Sequence, residues 1–260
     1  AAAARAAGIA LGLGSLRAAL EDPVLAATYD VRRIAPDILL FANLGAVQLN
    51  YGYGLEQCQR AVDRVGADAL ILHFNALQEA VQPEGDSRFG GLLARVEAIC
   101  RGLEVPVVAK EVGWGFSPQA ARQLADAGVA AIDVAGSGGT SWSEVEYYRA
   151  PTAQHASVAR AFADWGIPTA DSLRYAREAA PGLLIFASGG LRDGVDIAKC
   201  IALGAELGGM AGPFLQAAAQ SVDAVSKLIW ELTTQLRVAM FAAGAANIAA
   251  LKQTPLYPVP

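Results

Sequence analysis

Cysteine and charge are scarce in this chain. Three cysteines, Cys58, Cys100 and Cys200, are scattered over 260 residues. An odd number with no CxxC spacing supports neither a disulfide framework nor a zinc site, so they read as small buried hydrophobes in a reducing compartment. Only 17% of residues are charged, and 20 basic against 25 acidic residues leave a formal charge of -5. With no basic stripe, a nucleic-acid or anionic-membrane surface is disfavoured and a small-molecule ligand expected. No apolar run approaches the length of a membrane span. The Ala-rich opening, residues 1–20, has no basic segment ahead of its apolar stretch and is interrupted by Arg5 and Arg17. It does not read as a secretion signal, and a cytoplasmic location follows as an expectation. With 54% hydrophobic residues, so few charges would cover a monomer poorly, which points to a homo-oligomer.

What is present is an alternation of short apolar runs with amphipathic segments, the pattern of parallel βαβ units. Strands are predicted at 8–12, 38–42, 69–72, 105–110, 130–134, 183–187 and 206–210, with helices at 54–65, 89–102, 118–127 and 195–203. A long C-terminal helix, about 218–243, would turn Val222, Val225, Leu228, Ile229 and Leu232 inward. Seven units stand against the eight that close a (β/α)8 (TIM) barrel. Residues 1–7 read as the tail of a helix, so the first strand is the one expected to be missing. A doubly wound open sheet ranks second, because no GxGxxG follows the first strand. Nothing divides the chain, so 1–260 is read as one barrel domain.

Polar residues collect where the apolar runs stop. After 69–72 come His73, Asn75, Gln78, Glu79, Gln82, Glu84 and Asp86. Such groups are costly to bury without partners, and the carboxyl ends of parallel strands carry the chemistry of barrels. The plainer reading is a polar loop capping the next helix. Glu79 and Glu84 could hold Mg²⁺ beside substrate phosphate. Lys110 ends the strand at 105–110 and suits a Schiff-base nucleophile, a phosphate ligand, a cation facing a flavin, or a plain salt bridge. Gly-rich turns at 135–142, 187–194 and 210–213 allow backbone N–H groups to approach an anion. His155 has no polar company of this kind and is read as surface.

Gly14-Ser15-Leu16-Arg17, Ala42-Asn43-Leu44-Gly45, the 73–86 cluster, Lys110-Glu111-Val112-Gly113, Gly138-Gly139-Thr140-Ser141-Trp142 with Glu146, Trp165-Gly166-Ile167-Pro168-Thr169 and Ser188-Gly189-Gly190-Leu191-Arg192 together resemble type 2 isopentenyl diphosphate isomerase, the flavin-dependent family. They run in family order across nearly the whole chain. The resemblance implies a barrel that uses reduced FMN to interconvert isopentenyl and dimethylallyl diphosphates with no net redox change, with NADPH as reductant. Ser15, Asn43, Lys110, Thr140, Gly190, Leu191, Arg192, Ala211 and Gly212 would contact FMN. Arg17, Asn75 and Gln78 would hold the diphosphate substrate, and Glu79 would bind Mg²⁺. His73, Gln78 and Glu146 are the expected catalytic side chains, in a tetramer or octamer. The family's N-terminal basic segment, and its first strand ending in Met-Thr-Gly-Gly, have no counterpart here. That agrees with the strand count and makes activity of a chain starting at Ala1 an open expectation.

Two other readings stand beside it. An FMN-dependent α-hydroxyacid oxidase shares the Lys and Gly-rich loops but needs a His base near a late Arg, and 187–194 offers Arg192 alone. A barrel-derived binding protein without catalysis is the second.

Overall fold

Continuous apolar runs flanked by Gly and polar residues form strands buried on both faces, the usual state of parallel strands covered by helices. The computed structural model describes residues 1–257. Its strands are β1 (Leu11–Gly12), β2 (Leu40–Gly45), β3 (Ala69–Phe74), β4 (Val107–Glu111), β5 (Ala131–Asp133), β6 (Leu184–Ala187) and β7 (Leu207–Gly208). Ahead of β1 lies α1 (Ala2–Ala7), and between β1 and β2 lies α2 (Arg17–Glu21). Then come α3 (Leu55–Val65), α4 (Ala76–Val81), α5 (Leu92–Gly102), α6 (Pro118–Asp126), α7 (Trp142–Arg149), α8 (Ala153–Arg160), α9 (Thr169–Ala179) and α10 (Gly194–Ala202). The chain ends in α11 (Gly212–Ala218), α12 (Val222–Ala242) and α13 (Ile248–Leu251). Strand order is the order of the chain. This is the alternation of a (β/α)8 barrel, with seven strands described.

Two compact units are distinguished. The first comprises Ala1–Val112, Gln123–Ala131 and Trp142–Ala163; the second comprises Gly113–Arg122, Ile132–Ser141 and the chain from Asp164. In the first, β1 to β4 pair in parallel, with Gly45 opposite His73 and His73 opposite Lys110. All six residues of β2 are buried, and Leu40, Leu44, Leu70, Leu72 and Val96 form the centre of its core. In the second, β6 and β7 pair in parallel, and Ile132, Val134, Leu173 and Ile185 are fully buried.

The ends of several elements differ from the sequence reading. β1 and β7 shrink to two residues each, since the glycines around them add no side chain to pack. The helix expected from 89 starts at Leu92, after a left-handed Gly91. α12 buries Ile229 and Leu232 as expected, but Val222 is 58% exposed because it opens the helix beyond the packed stretch. Gly194 explains that packing: a Cβ there would lie 2.2 Å from the Leu232 carbonyl oxygen, so α10 and α12 meet backbone to backbone. Cys58 and Cys200 are buried and Cys100 is half-buried; all three are free thiols. Burial pushes the Cys58 thiol up to about 12 and those of Cys100 and Cys200 to about 11, which leaves them inert.

A buried hydroxyl helps to hold the loop after β4. Ser172 on α9 has no exposed surface; its Oγ accepts from Phe116 N (2.8 Å) and donates to Phe116 O (3.0 Å). Ser172→Ala removes both of these bonds to the Phe116 main chain and should cost about 1–3 kcal/mol. Urea unfolding checks this, and a loss under about 0.5 kcal/mol would contradict it.

Candidate active site

In the first unit the site grows from the register of β2, β3 and β4. Side chains of opposed residues on neighbouring strands share a face, so Gly45, His73 and Lys110 form one row across the three strand ends. A Cβ at Gly45 would lie 3.4 Å from His73 Nε2, so the imidazole lies close against the β2 backbone. His73 Nδ1 donates to Asn43 Oδ1 (2.8 Å), and Asn43 is buried. That bond assigns the ring proton to Nδ1 and leaves Nε2 an acceptor. Burial, and then the Lys110 charge, lower the His73 pKa to about 4. The imidazole is therefore neutral at pH 7. Lys110 Nζ donates to the Glu111 carbonyl (3.1 Å), and buried Glu111 accepts from Val112 N through Oε2 (2.7 Å).

β3 then gives way to α4. Asn75 sits at the helix N-cap, yet its side chain makes no capping bond. Instead Nδ2 donates to Glu79 Oε1 (2.7 Å) and, more weakly, to Gln78 Oε1 (3.4 Å). Its buried Oδ1 has no partner among the described residues. A buried amide oxygen left open costs free energy, so this atom is poised for a ligand. The Asn75 side chain thus bonds within the cluster rather than capping α4.

Gln78 Nε2 on α4 (3.1 Å) and Gln82 Nε2 just past its end (2.6 Å) both donate to Glu146 Oε1. Glu146, on α7, is 6% exposed and also pairs with Arg149 Nη1 (3.4 Å). The second Glu79 oxygen accepts from Asp86 N (2.7 Å). Asp86 Oδ2 accepts from Arg17 Nη1 (3.1 Å) and Gln48 Nε2 (3.0 Å), while Arg17 Nε donates to Glu21 (2.9 Å). Ser15 bonds to Arg17 N through Oγ (3.4 Å) and to the Tyr29 hydroxyl through its carbonyl (2.9 Å). Through Asp86 these bonds join Arg17, Asn75, Gln78, Glu79 and Glu146 into one network, while Asn43 bonds to His73, which stands beside Lys110 in the row at the strand ends. Among the described residues, Glu84 makes no bond to this network but lines a cavity of about 40 Å³ with Glu146, Arg149 and His155. His155 is exposed, as the sequence suggested.

Gln48, Gln82 and Asp86 are members that sequence reasoning did not assign. A single amide inside the buried run Ala46–Leu49 was a usable signal for Gln48. Gln82 lies one helical turn beyond Gln78, on the same face.

The second unit carries the Gly-rich turns. Gly136, Gly138 and Gly139 pack directly on Gly189 and Gly190: a Cβ at Gly189 would meet Gly136 O at 2.1 Å, and one at Gly190 would meet Gly138 C at 2.2 Å. Thr169 Oγ1 donates to Gly189 O (2.6 Å), and Ser188 Oγ donates to Asp133 Oδ1 (2.7 Å). Ala135, where β5 ends, has φ 34°, a strained left-handed conformation held by Gly115 N on its carbonyl (3.3 Å) and Asp133 Oδ1 on its N–H (3.3 Å). Neither Gly190 N nor Leu191 N bonds to another described residue, whereas Arg192 N is taken by Asp196 Oδ2 (3.2 Å). Thr140 is exposed, the Arg192 side chain is 82% exposed, and the space around the Cα of Gly212, next to Ala211, is open.

Similarity to known proteins shows the family. Residues 75–258 match the model of the FMN-dependent dehydrogenase family. The chain is 57% identical over 254 residues to an isopentenyl-diphosphate delta-isomerase of Synechocystis, covering 98% of this chain and 73% of that protein. It is 52% identical to the corresponding protein of Nostoc over 246 residues, 95% of this chain and 70% of the other. The chain belongs to the isopentenyl-diphosphate delta-isomerase family. A Rickettsia bellii member, 52% identical over 256 residues, covers 98% of this chain and 75% of its own length. Among solved structures, a mandelate oxidase superposes with TM-score 0.63 at 22% identity, covering 96% of this chain and 71% of that one. A lactate oxidase of Pediococcus acidilactici gives 0.66 at 19%, covering 99% and 70%. Those two likenesses concern the barrel fold alone. Family membership makes this chain's fold an FMN-dependent type of barrel and its class that of an isomerase.

Open N–H groups at Gly190 and Leu191, beside turns built from glycine, suit the phosphate of FMN. Among the described residues no three His, Cys, Asp or Glu side chains gather to hold a metal. Glu79 nevertheless keeps lone pairs on both oxygens after its two hydrogen bonds, which suits an ion carried mainly by substrate phosphate.

The His73 assignment has a measurable consequence. The unfolded chain takes up this proton below about pH 6.5, while the folded state resists until about pH 4. The depressed pKa therefore contributes stability above pH 6.5 that is lost as pH falls through 6.5 toward 4. NMR of the labelled imidazole should show a midpoint near 4 in the folded protein, rising in Lys110→Met. A midpoint near 6.5 would overturn the tautomer and burial argument.

Proposed function

We propose that this protein interconverts isopentenyl and dimethylallyl diphosphates, with reduced FMN as cofactor, NADPH as its reductant and Mg²⁺ on the diphosphate. The observation that carries the reading is the polar network of Asn75, Gln78, Glu79 and Glu146 at the end of β3, in a chain 57% identical to a protein of that name. When bound, reduced FMN supplies an acid/base centre for the allylic carbons, a task for which no ordinary side-chain acid at pH 7 is matched.

The residues of the chain divide the remaining work. Arg17 gives a cation for the diphosphate, and Glu79 holds the Mg²⁺ that neutralises it further. Asn75 and Gln78 hydrogen-bond the substrate, with the open Asn75 Oδ1 as an acceptor. Gln78 donates to Glu146, so its amide is fixed in one orientation. Neutral His73 lines the pocket as an acceptor through Nε2 without adding charge. Ser15, Asn43 and Lys110 serve the flavin from the first unit, Lys110 as a cation that stabilises an anionic reduced ring. The Gly-rich turns of the second unit, with Gly190, Leu191, Arg192, Thr140, Ala211 and Gly212, suit a phosphate. We place the enzyme in the cytoplasm as a homo-oligomer, a tetramer or octamer.

Purified protein loaded with FMN should isomerise isopentenyl diphosphate anaerobically after reduction and not before it. Glu79→Gln should raise the Mg²⁺ needed for half-maximal rate about tenfold or more while leaving FMN affinity nearly intact. Lys110→Met should make FMN harder to reduce. Turnover with oxidised FMN at the reduced rate, or a Glu79→Gln variant that loses flavin but keeps its Mg²⁺ dependence, would contradict these roles.

A further inference from the structure

We infer that Asp86 is a positioning residue for the diphosphate end of the site, setting the place of both Arg17 and Glu79 while touching neither substrate nor metal; this rests on the isomerase reading above. Three bonds converge on it. Oδ2 accepts from Arg17 Nη1 at 3.1 Å and from Gln48 Nε2 at 3.0 Å, and the backbone N–H donates to Glu79 Oε2 at 2.7 Å.

The physical need for such a residue is clear in Arg17. Its side chain is 46% exposed, and a long side chain at the surface loses rotamer freedom when it is held in one place. Glu21, one turn along α2, binds Nε, but Glu21 is itself 54% exposed. Asp86 is only 22% exposed. It is anchored from below by Gln48, which is 5% exposed within the 3-10 turn after β2, so it is the rigid half of the clamp. With Nε and one Nη1 hydrogen engaged, the rest of the guanidinium fork remains for a phosphate oxygen.

The same residue reaches Glu79 through its main chain, and its position is fixed by its neighbour. A Cβ on Gly85 would lie 1.9 Å from the Glu79 carbonyl oxygen, so the turn before Asp86 lies flat on the end of α4. The Asp86 N–H is thereby aimed at Oε2, while Asn75 holds Oε1. One turn thus ties a cation on α2 to a carboxylate on α4, the pair a magnesium diphosphate has to bridge. Removing its side chain should leave the Glu79 bond, which is made by backbone, and release Arg17.

The test uses the FMN-loaded full chain and inorganic diphosphate with Mg²⁺, followed by calorimetry. Asp86→Ala should weaken diphosphate binding about tenfold. Asp86→Asn keeps an oxygen acceptor and should recover most of that loss; it also serves if Asp86→Ala folds poorly. FMN affinity should change less than about twofold in both. In turnover, KM should rise more than kcat falls. The decisive readout is a double-mutant cycle: in an Arg17→Met background, Asp86→Ala should add less than about twofold. Additive losses, an unchanged affinity in Asp86→Ala, or an equal loss of FMN and diphosphate would overturn the role. Failure of the unmutated protein to bind diphosphate would instead sink the isomerase reading itself.

Discussion

Gly45, His73 and Lys110 stand in one row because β2, β3 and β4 pair in parallel with that register, and the other interactions of the first unit depend on it. A slip of one residue would turn His73 and Lys110 to the opposite face and carry Leu72 and Ala109, both fully buried, out of the core. Packing of the apolar residues therefore fixes the chemistry. The same row sets the electrostatics, since the lysine beside the imidazole helps to keep it neutral.

Around this row, polar side chains are held mostly by one another. Asn75 serves Glu79, Gln78 and Gln82 serve Glu146, and Gln48 serves Asp86. Amides and carboxylates arranged in this way spend few of their lone pairs and hold rigid positions. A group about to bind an anion and its cation gains from that rigidity, because little ordering remains when the ligand arrives. In the second unit the corresponding device is steric: glycines at 136–139 and 189–190 bring two turns together with no side chain between them.

Much of this was legible in the sequence, for identifiable reasons. β2, β3 and β4 were readable because each is an unbroken apolar run ending in polar residues. His73, Asn75, Gln78 and Glu79 were readable because they follow one such run within a single helical turn or two. The limits of β1 and β7 were not, since glycine-rich segments carry no periodicity. Val222 was assigned to a buried face by spacing alone, which says nothing of where a helix leaves its partner. The bond from Arg17 to Asp86 spans 69 residues and that from Gln48 to Asp86 spans 38. No local pattern carries contacts of that range, and the role of Asp86 became visible only with the fold.

The central claim is that a polar site on parallel strand ends moves a proton on and off an allylic diphosphate without consuming reducing equivalents. Anaerobic incubation of the FMN-reduced protein with isopentenyl diphosphate and Mg²⁺ in D₂O tests it most directly, with product labelling and reductant both measured. Deuterium in the methyl groups of dimethylallyl diphosphate, over many turnovers per reductant consumed, is the result this account predicts. Unlabelled product, or one equivalent of reductant spent per molecule converted, would contradict it.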